Sequence, residues 1–329
     1  MMGRTSPAVM AFALLAGCAT ERLDGVNLLQ SREVSFTQPP TYQSLRAARA
    51  LGANTVAVVT FLEQTSPEST RLRKSRAVSD AQLVGAIRAA KRAGVKVFVK
   101  PQLLIPDAWA GAIDPGSDAG WEDWFDAYRT HLVELAVLAE SEDADGFVVG
   151  TELGRSASRA EWSDVIAAVR NVFSGTLTYA AHGVEGLNAF SHWHLLDLAG
   201  VTLYPSLGNN PERGAMQAHV EETTAQLRGA ADRIGKPVWI TEIGIQSRHG
   251  AQERPWEWRG MDADAPPDSG LQATVIDLWL EALAGDWNRG VLLWAWSNDP
   301  LAGGPNDRDY LLQNKPAEQV MRCRWKNLC

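Results

Sequence analysis

The stretch Thr55-Val-Ala-Val-Val-Thr-Phe61 restricts most sharply what this chain can become. It is a short, nearly unbroken apolar run, and a strand without polar alternation is one that is covered on both faces. Such strands belong to parallel sheets, whose long crossovers are usually helices packed on the sheet. The chain repeats the unit. Strands are expected at Gly25–Leu29, Thr55–Phe61, Val95–Lys100, Gly146–Thr151, Leu177–Ala181, Leu198–Tyr204, Val238–Thr241 and Gly290–Trp296. Helical patterns fill the gaps at Tyr42–Leu51, from a Ser79-Asp80 cap to Gly94, and at Trp121–Glu140, Glu161–Phe173, Glu212–Ile234, Leu271–Ala284 and Pro316–Trp325. A polar, Arg-rich loop fills the space through Arg76, and Pro101 should stop the third strand.

Eight strands alternating with helices describe a single-domain (β/α)8 TIM barrel, whose site lies at the C-terminal ends of the strands. A doubly wound sheet is the competitor, but no glycine-rich phosphate loop follows the first strand. At 329 residues, with 45% hydrophobic and 21% charged residues, the chain can build one such barrel. A net charge of −8 argues against a nucleic-acid partner and supplies no basic stripe for anionic lipid. Thirteen Trp stand against five Tyr, and the flat apolar face of Trp suits the CH-rich faces of sugars. Most of them should nonetheless be core.

The first residues read as a targeting segment. Arg4 precedes the apolar run Ala8–Ala16, which ends in Leu15-Ala-Gly-Cys18 and resembles a bacterial lipoprotein processing site. By that resemblance residues 1–18 are a signal ending at a lipidated Cys18, 19–24 a short linker and 25–329 the catalytic domain. The compartment is then extracytoplasmic, periplasmic or at the cell surface, with the membrane reached only through the lipid. Cys323 and Cys329 remain as an even pair in which a disulfide can form.

The strand ends carry the chemistry. Glu152 follows Gly146-Phe-Val-Val-Gly-Thr151, and Glu242 follows Val238-Trp-Ile-Thr241, each in a Thr-Glu-aliphatic context. A carboxylate at the mouth of an apolar strand is costly without a partner or a task. Two of them are what glycoside hydrolysis requires. Lys100, Gln102, His182, Tyr204 and Trp296 stand at other strand ends and should converge on the same pocket. Trp256 and Trp258 lie on the irregular segment after Glu242, and Trp109 on the loop after the third strand; each either stacks on a sugar or plugs the fold. His192 and His194 lack a third metal ligand, so they read as structural and no metal or other cofactor is expected.

Taken together, Lys100-Pro101, Trp109-Ala-Gly111, Gly150-Thr-Glu-Leu153, Tyr204-Pro205, Lys236-Pro with Thr241-Glu-Ile-Gly244, and Leu293-Trp-Ala-Trp296 resemble glycoside hydrolase family 113. That family comprises retaining (β/α)8 enzymes, chiefly endo-β-1,4-mannanases, with catalytic Glu residues on strands four and seven. The resemblance implies Glu152 as acid/base and Glu242 as nucleophile, with Tyr204 hydrogen-bonding the nucleophile and Trp294 or Trp296 forming the sugar platform. It departs from the wider clan at Thr151, where Asn is usual, and at Lys100 and Gln102, where His or Arg is common. Both changes bear on the sugar at the reacting position.

The expectation is therefore a monomeric, two-glutamate retaining glycosidase acting on a β-linked hexose polysaccharide or oligosaccharide, of β-1,4-mannan type by resemblance. Facing carboxyls about 5–5.5 Å apart would leave no room for a water and imply double displacement. Glu152 should hold a proton and Glu242 be ionised. The alternatives are a lipid-anchored carbohydrate-binding protein that keeps the barrel without turnover, and a retaining glycosidase of different β-glycan specificity. A metal-dependent barrel hydrolase would need a His/Asp cluster that the strand ends do not supply.

Overall fold

The computed structural model describes residues 21–257 and 264–329. Nine strands form one sheet: β1 (Gly25–Leu29), β2 (Thr55–Gln64), β3 (Leu72–Lys74), β4 (Lys96–Leu104), β5 (Gly146–Thr151), β6 (Thr176–His182), β7 (Leu198–Leu203), β8 (Val238–Ile243) and β9 (Asn288–Ser297). All but β3 run parallel, and β1 pairs with both β2 and β9, so eight strands close on themselves. Helices α1 (Pro39–Leu51), α2 (Asp80–Ala93), α3 (Asp118–Ser141), α4 (Trp162–Arg170), α5 (Gly183–Ala189), α6 (Arg213–Ile234), α7 (Ser269–Ala282) and α8 (Ala317–Trp325) surround the barrel. The fold is the (β/α)8 barrel that the alternation implies.

Local chemistry sets the helix ends. Ser79 accepts from the Gln82 amide while the Gln82 side chain reaches back to the Ser79 amide, a capping box that starts α2. Gly94 ends it with φ +74°, a left-handed conformation that costs glycine little.

Three features differ from the sequence reading. Within the loop read as irregular, β3 pairs antiparallel with the far end of β2, which extends to Gln64. The strand β4 does not stop at Pro101 but continues to Leu104. Its pairing with β5 ends at Val99, leaving the one-sided edge at which proline is tolerated. The short helix α5 directly follows β6 and was not anticipated.

The barrel interior fills in layers. At the bottom Phe98 meets Trp239, ring centroids 4.7 Å apart, with Leu23, Ala57, Leu198 and Leu292 around them. Gly146 makes room, since a Cβ there would lie 2.1 Å from the Phe98 ring. Along β4, Phe98, Lys100 and Gln102 share the inward face, because strand side chains alternate. The first packs the floor, and the other two rise toward the mouth. The aromatic surplus is mostly outside the barrel, where Trp124, Tyr128, Trp162, Tyr179 and Phe190 interlock between sheet and helices. At the C-terminus Cys323 and Cys329 are joined by a disulfide.

Candidate active site

Glu242 faces inward because β8 carries an extra residue. In the ladder with β7, Val201 pairs with Ile240 and Thr202 with Glu242, so Thr241 is the inserted residue of a bulge. The bulge switches the alternation, and Glu242 points into the barrel as Trp239 does. The Thr241 carbonyl accepts hydrogen bonds from Asn27 Nδ2 and Lys100 Nζ, each at 3.0 Å.

Lys100 is fully buried, and its ammonium has an acceptor for each proton: Glu242 Oε1 at 2.6 Å, Asn27 Oδ1 at 3.0 Å and the Thr241 carbonyl. Gln102 Nε2 donates to Glu242 Oε1 at 2.6 Å, and the Tyr204 hydroxyl donates to Oε2 at 3.0 Å. Burial, the largest influence, raises the Glu242 carboxyl above the ordinary carboxylate range, and the nearby Glu152 adds to it. Burial likewise lowers Lys100. The ion pair and the donors on both carboxylate oxygens oppose these shifts and favour the charged pair.

Glu152 leaves β5 with φ +58°, an uncommon backbone conformation for a residue other than glycine and of the kind that clusters at functional sites. Its amide still donates to the Ala180 carbonyl, at 2.9 Å. Its carboxyl is ringed by donors: the Thr202 hydroxyl to Oε1 at 2.5 Å, His182 Nδ1 beside Oε1 at 3.1 Å, and the Trp109 indole N–H to Oε2 at 2.8 Å. Burial pushes this carboxyl up, but the His182, Thr202 and Trp109 contacts together outweigh it and leave it below its usual value. His182 rises through its bond to Glu152. These donors work against the protonated Glu152 expected of an acid. The sequence does not display this donor ring.

Both carboxylates line one cavity of about 1190 Å³, together with Gln102, Trp109, Thr151, His182, Tyr204, Trp256 and Trp294. Lys100 lies beneath it, bonded to Glu242 and facing the Trp294 ring with its ammonium 5.9 Å from the centroid. Thr151 donates to the Pro101 carbonyl at 3.3 Å. Trp296 is not part of the cavity lining: it is 1% exposed and its indole N–H donates outward to Ser44 Oγ on α1, at 2.8 Å. Two positions from Trp294 on a strand would share its face, yet the ladder shifts register along β9, so the two rings part. Trp256 is half exposed at the rim, and its loop is tied down by the Tyr310 hydroxyl donating to the Pro255 carbonyl. Trp258 and Cys18 lie outside the described residues. His192 Nε2 contacts the Arg159 carbonyl at 2.9 Å.

Sequence reasoning missed Thr202 and Asn27. Thr202 stands near the end of β7 and Tyr204 directly after it, so one serves Glu152 and the other Glu242. Asn27 is a polar residue inside the apolar β1, which calls for a buried partner.

The model of glycoside hydrolase family 113 matches residues 28–315. The chain belongs to that family. Glycoside Hydrolase Family 113 membership makes it a glycoside hydrolase, with both strand-end carboxylates inside the matched span. Among solved structures, a GH113 β-1,4-mannanase is 24% identical, with TM-score 0.81 over 93% of this chain and 99% of that one. A GH113 β-mannanase from Alicyclobacillus acidocaldarius, in complex with ManMIm, is 23% identical, with TM-score 0.83 over 94% and 98%. A β-glucuronidase from Ruminococcus gnavus is 12% identical, with TM-score 0.60 over 93% of this chain and 50% of that one. At these identities the likeness is one of fold. No curated protein matches the chain by sequence.

Proposed function

We propose that this glycoside hydrolase is a retaining endo-β-1,4-mannanase. One observation carries the mechanism: two strand-end carboxylates share a cavity, one held by a buried ammonium and the other by a titratable imidazole. Family membership and the mannanases of like fold support the substrate class. Glu242 is the nucleophile. Lys100 and Gln102 occupy its Oε1 and Tyr204 its Oε2, which fixes the carboxylate's plane against the anomeric carbon. Glu152 protonates the leaving oxygen as the glycosyl bond to Glu242 forms, then draws a proton from the water that breaks it. Trp294 and the rim aromatics Trp109 and Trp256 offer faces for sugar rings along the cleft.

Digestion of a β-1,4-manno-oligosaccharide series, with NMR of the first-formed product, tests the reading. Internal cleavage with retained configuration is expected; inversion overturns the mechanism, and cleavage of gluco- but not manno-oligosaccharides overturns the substrate. Glu242→Ala should abolish turnover even of aryl glycosides with good leaving groups. Glu152→Ala should still be glycosylated by them, and azide should restore its deglycosylation as a β-glycosyl azide. The same reading includes a lipid anchor at Cys18, motivated by Leu15-Ala-Gly-Cys18. Mass spectrometry of the mature N-terminus decides it, since an unmodified Cys18 or cleavage elsewhere refutes the anchor.

A further inference from the structure

We propose that His182 is the proton partner of Glu152: imidazole and carboxyl hold one proton between them, which the carboxyl spends on the leaving oxygen and then recovers from water. The catalytic part rests on the mannanase reading; the pair itself stands on geometry.

His182 is the last residue of β6, and Gly183, at φ +62°, turns the chain into α5 immediately after it. The imidazole is thereby left at the strand mouth, with Nδ1 3.1 Å from Glu152 Oε1 and the ring half exposed. The Trp109 indole packs against it, centroids 4.6 Å apart, while its own N–H takes Glu152 Oε2. Gly111 is what allows the indole to lie there, because a Cβ would stand 2.2 Å from it. An indole N–H can only donate, and the Thr202 hydroxyl donates its proton to Oε1. These three donors favour the ionised form of Glu152, and with them in place the proton of the pair belongs on Nδ1 at rest. The other charges acting on His182 are Glu185 on α5 and Glu242 on β8, both of which favour the imidazolium. Lys100 lies on the far side, bonded to Glu242.

The steps balance. A glycosidic oxygen approaching Glu152 is an acceptor and favours the neutral carboxyl, so the Nδ1 proton passes to Glu152 and leaves a neutral imidazole. The carboxyl gives that proton to the oxygen as the glycosidic C–O bond breaks and Glu242 bonds the anomeric carbon. An alcohol leaves. The Glu152 carboxylate then takes a proton from the attacking water as the ester to Glu242 breaks. Returning that proton to Nδ1 restores the resting pair. His182 is a positioning and proton-sharing residue, since nothing in this sequence requires it to touch the sugar.

The test uses His182→Gln, which keeps a donor but cannot titrate, and Glu152→Gln, which keeps the carboxyl's shape without its charge. NMR titration of the imidazoles, with the His182 signal assigned by its loss in His182→Gln, should find it titrating above the ordinary value of about 6.5. In Glu152→Gln it should fall by about one unit or more. In His182→Gln the alkaline limb of kcat/KM on manno-oligosaccharides should move to lower pH by about two units, roughly the gap between ordinary His and Glu values. Dinitrophenyl glycosides, whose leaving group needs no acid, should lose little. An unchanged His182 titration in Glu152→Gln overturns the pair. Equal loss on both substrate classes with an unmoved limb overturns the proton role and leaves a structural one. If the wild type cleaves no manno-oligosaccharide, the mannanase reading fails while the titration still decides the pair.

Discussion

Replacing Lys100 with Met tests the floor of the site most directly. The substitution roughly preserves side-chain length and volume but removes an ammonium that satisfies Glu242, Asn27 and the Thr241 carbonyl. Breaking a buried ion pair by deleting one partner costs about 3–5 kcal/mol, because the other charge is left uncompensated. Glu242 can shed part of that by taking a proton. Each 1.36 kcal/mol so shed corresponds to about one pKa unit, so relief of about 3 kcal/mol lifts Glu242 by about two further units above its already raised value. The sign follows from linkage. A carboxyl whose folded pKa exceeds its unfolded one destabilises the fold progressively as pH rises between the two values, and the cost is absent below both. Urea unfolding of Lys100→Met should therefore show a loss of about 3 kcal/mol or more at pH 8 that shrinks markedly near pH 4. Glu242→Gln in the same background should recover much of the pH 8 loss, as a double-mutant cycle. The acid limb of kcat should move toward neutrality by about two units. A loss equal at both pH values and untouched by Glu242→Gln would show that Lys100 acts through packing alone, and the electrostatic argument would be wrong.

Two further outcomes are expected. Trp296→Phe gives up the indole bond to Ser44 and some buried area, so it should destabilise the protein by about 1–3 kcal/mol in denaturant unfolding while leaving KM for oligosaccharides unchanged; a raised KM would return Trp296 to the cavity. Cys323→Ser removes a link closing a loop of sequence separation 6 and should cost about 2–3 kcal/mol by chain entropy. Thiol labelling of unfolded, unreduced wild type should find neither Cys323 nor Cys329 free, and two labelled thiols would refute the bond.

The barrel was legible because burial on both faces writes itself into unbroken apolar runs such as Val56–Val59, and helix ends carry their own chemistry, as at Ser79 and Gly94. The site was legible at the level of strand ends, which gathered Glu152, Gln102, His182, Tyr204 and Glu242 around one cavity. What escaped depended on contacts that local pattern does not encode. The bulge at Thr241 turns Glu242 inward, and no propensity announces an inserted residue. The register shift along β9 separates Trp294 from Trp296, two rings that sequence spacing treats as alike. Lys100 reads as a residue for sugar until the structure shows it sealed beneath Glu242. The support of Glu152 comes from three donors on three separate segments, Trp109, His182 and Thr202, whose convergence is a property of closure.

The two carboxylates are also anchored to parts of the molecule that differ in how freely they can change. Glu242 is held by Lys100 and Gln102 on β4 and by Tyr204 directly after β7, with Asn27 and the Thr241 carbonyl behind Lys100, so its support lies mostly in the barrel, where a substitution disturbs the walls themselves. Glu152 takes one of its three holds from Trp109, which belongs to the connection between β4 and α3. Grafting a new segment between Ile105 and Gly116 would therefore retune leaving-group chemistry and the alkaline side of the pH profile while sparing the attacking group. Diversification of such a scaffold has a natural direction: the attacking carboxylate is held by the barrel, while the acid that assists departure in the same step is open to loop exchange.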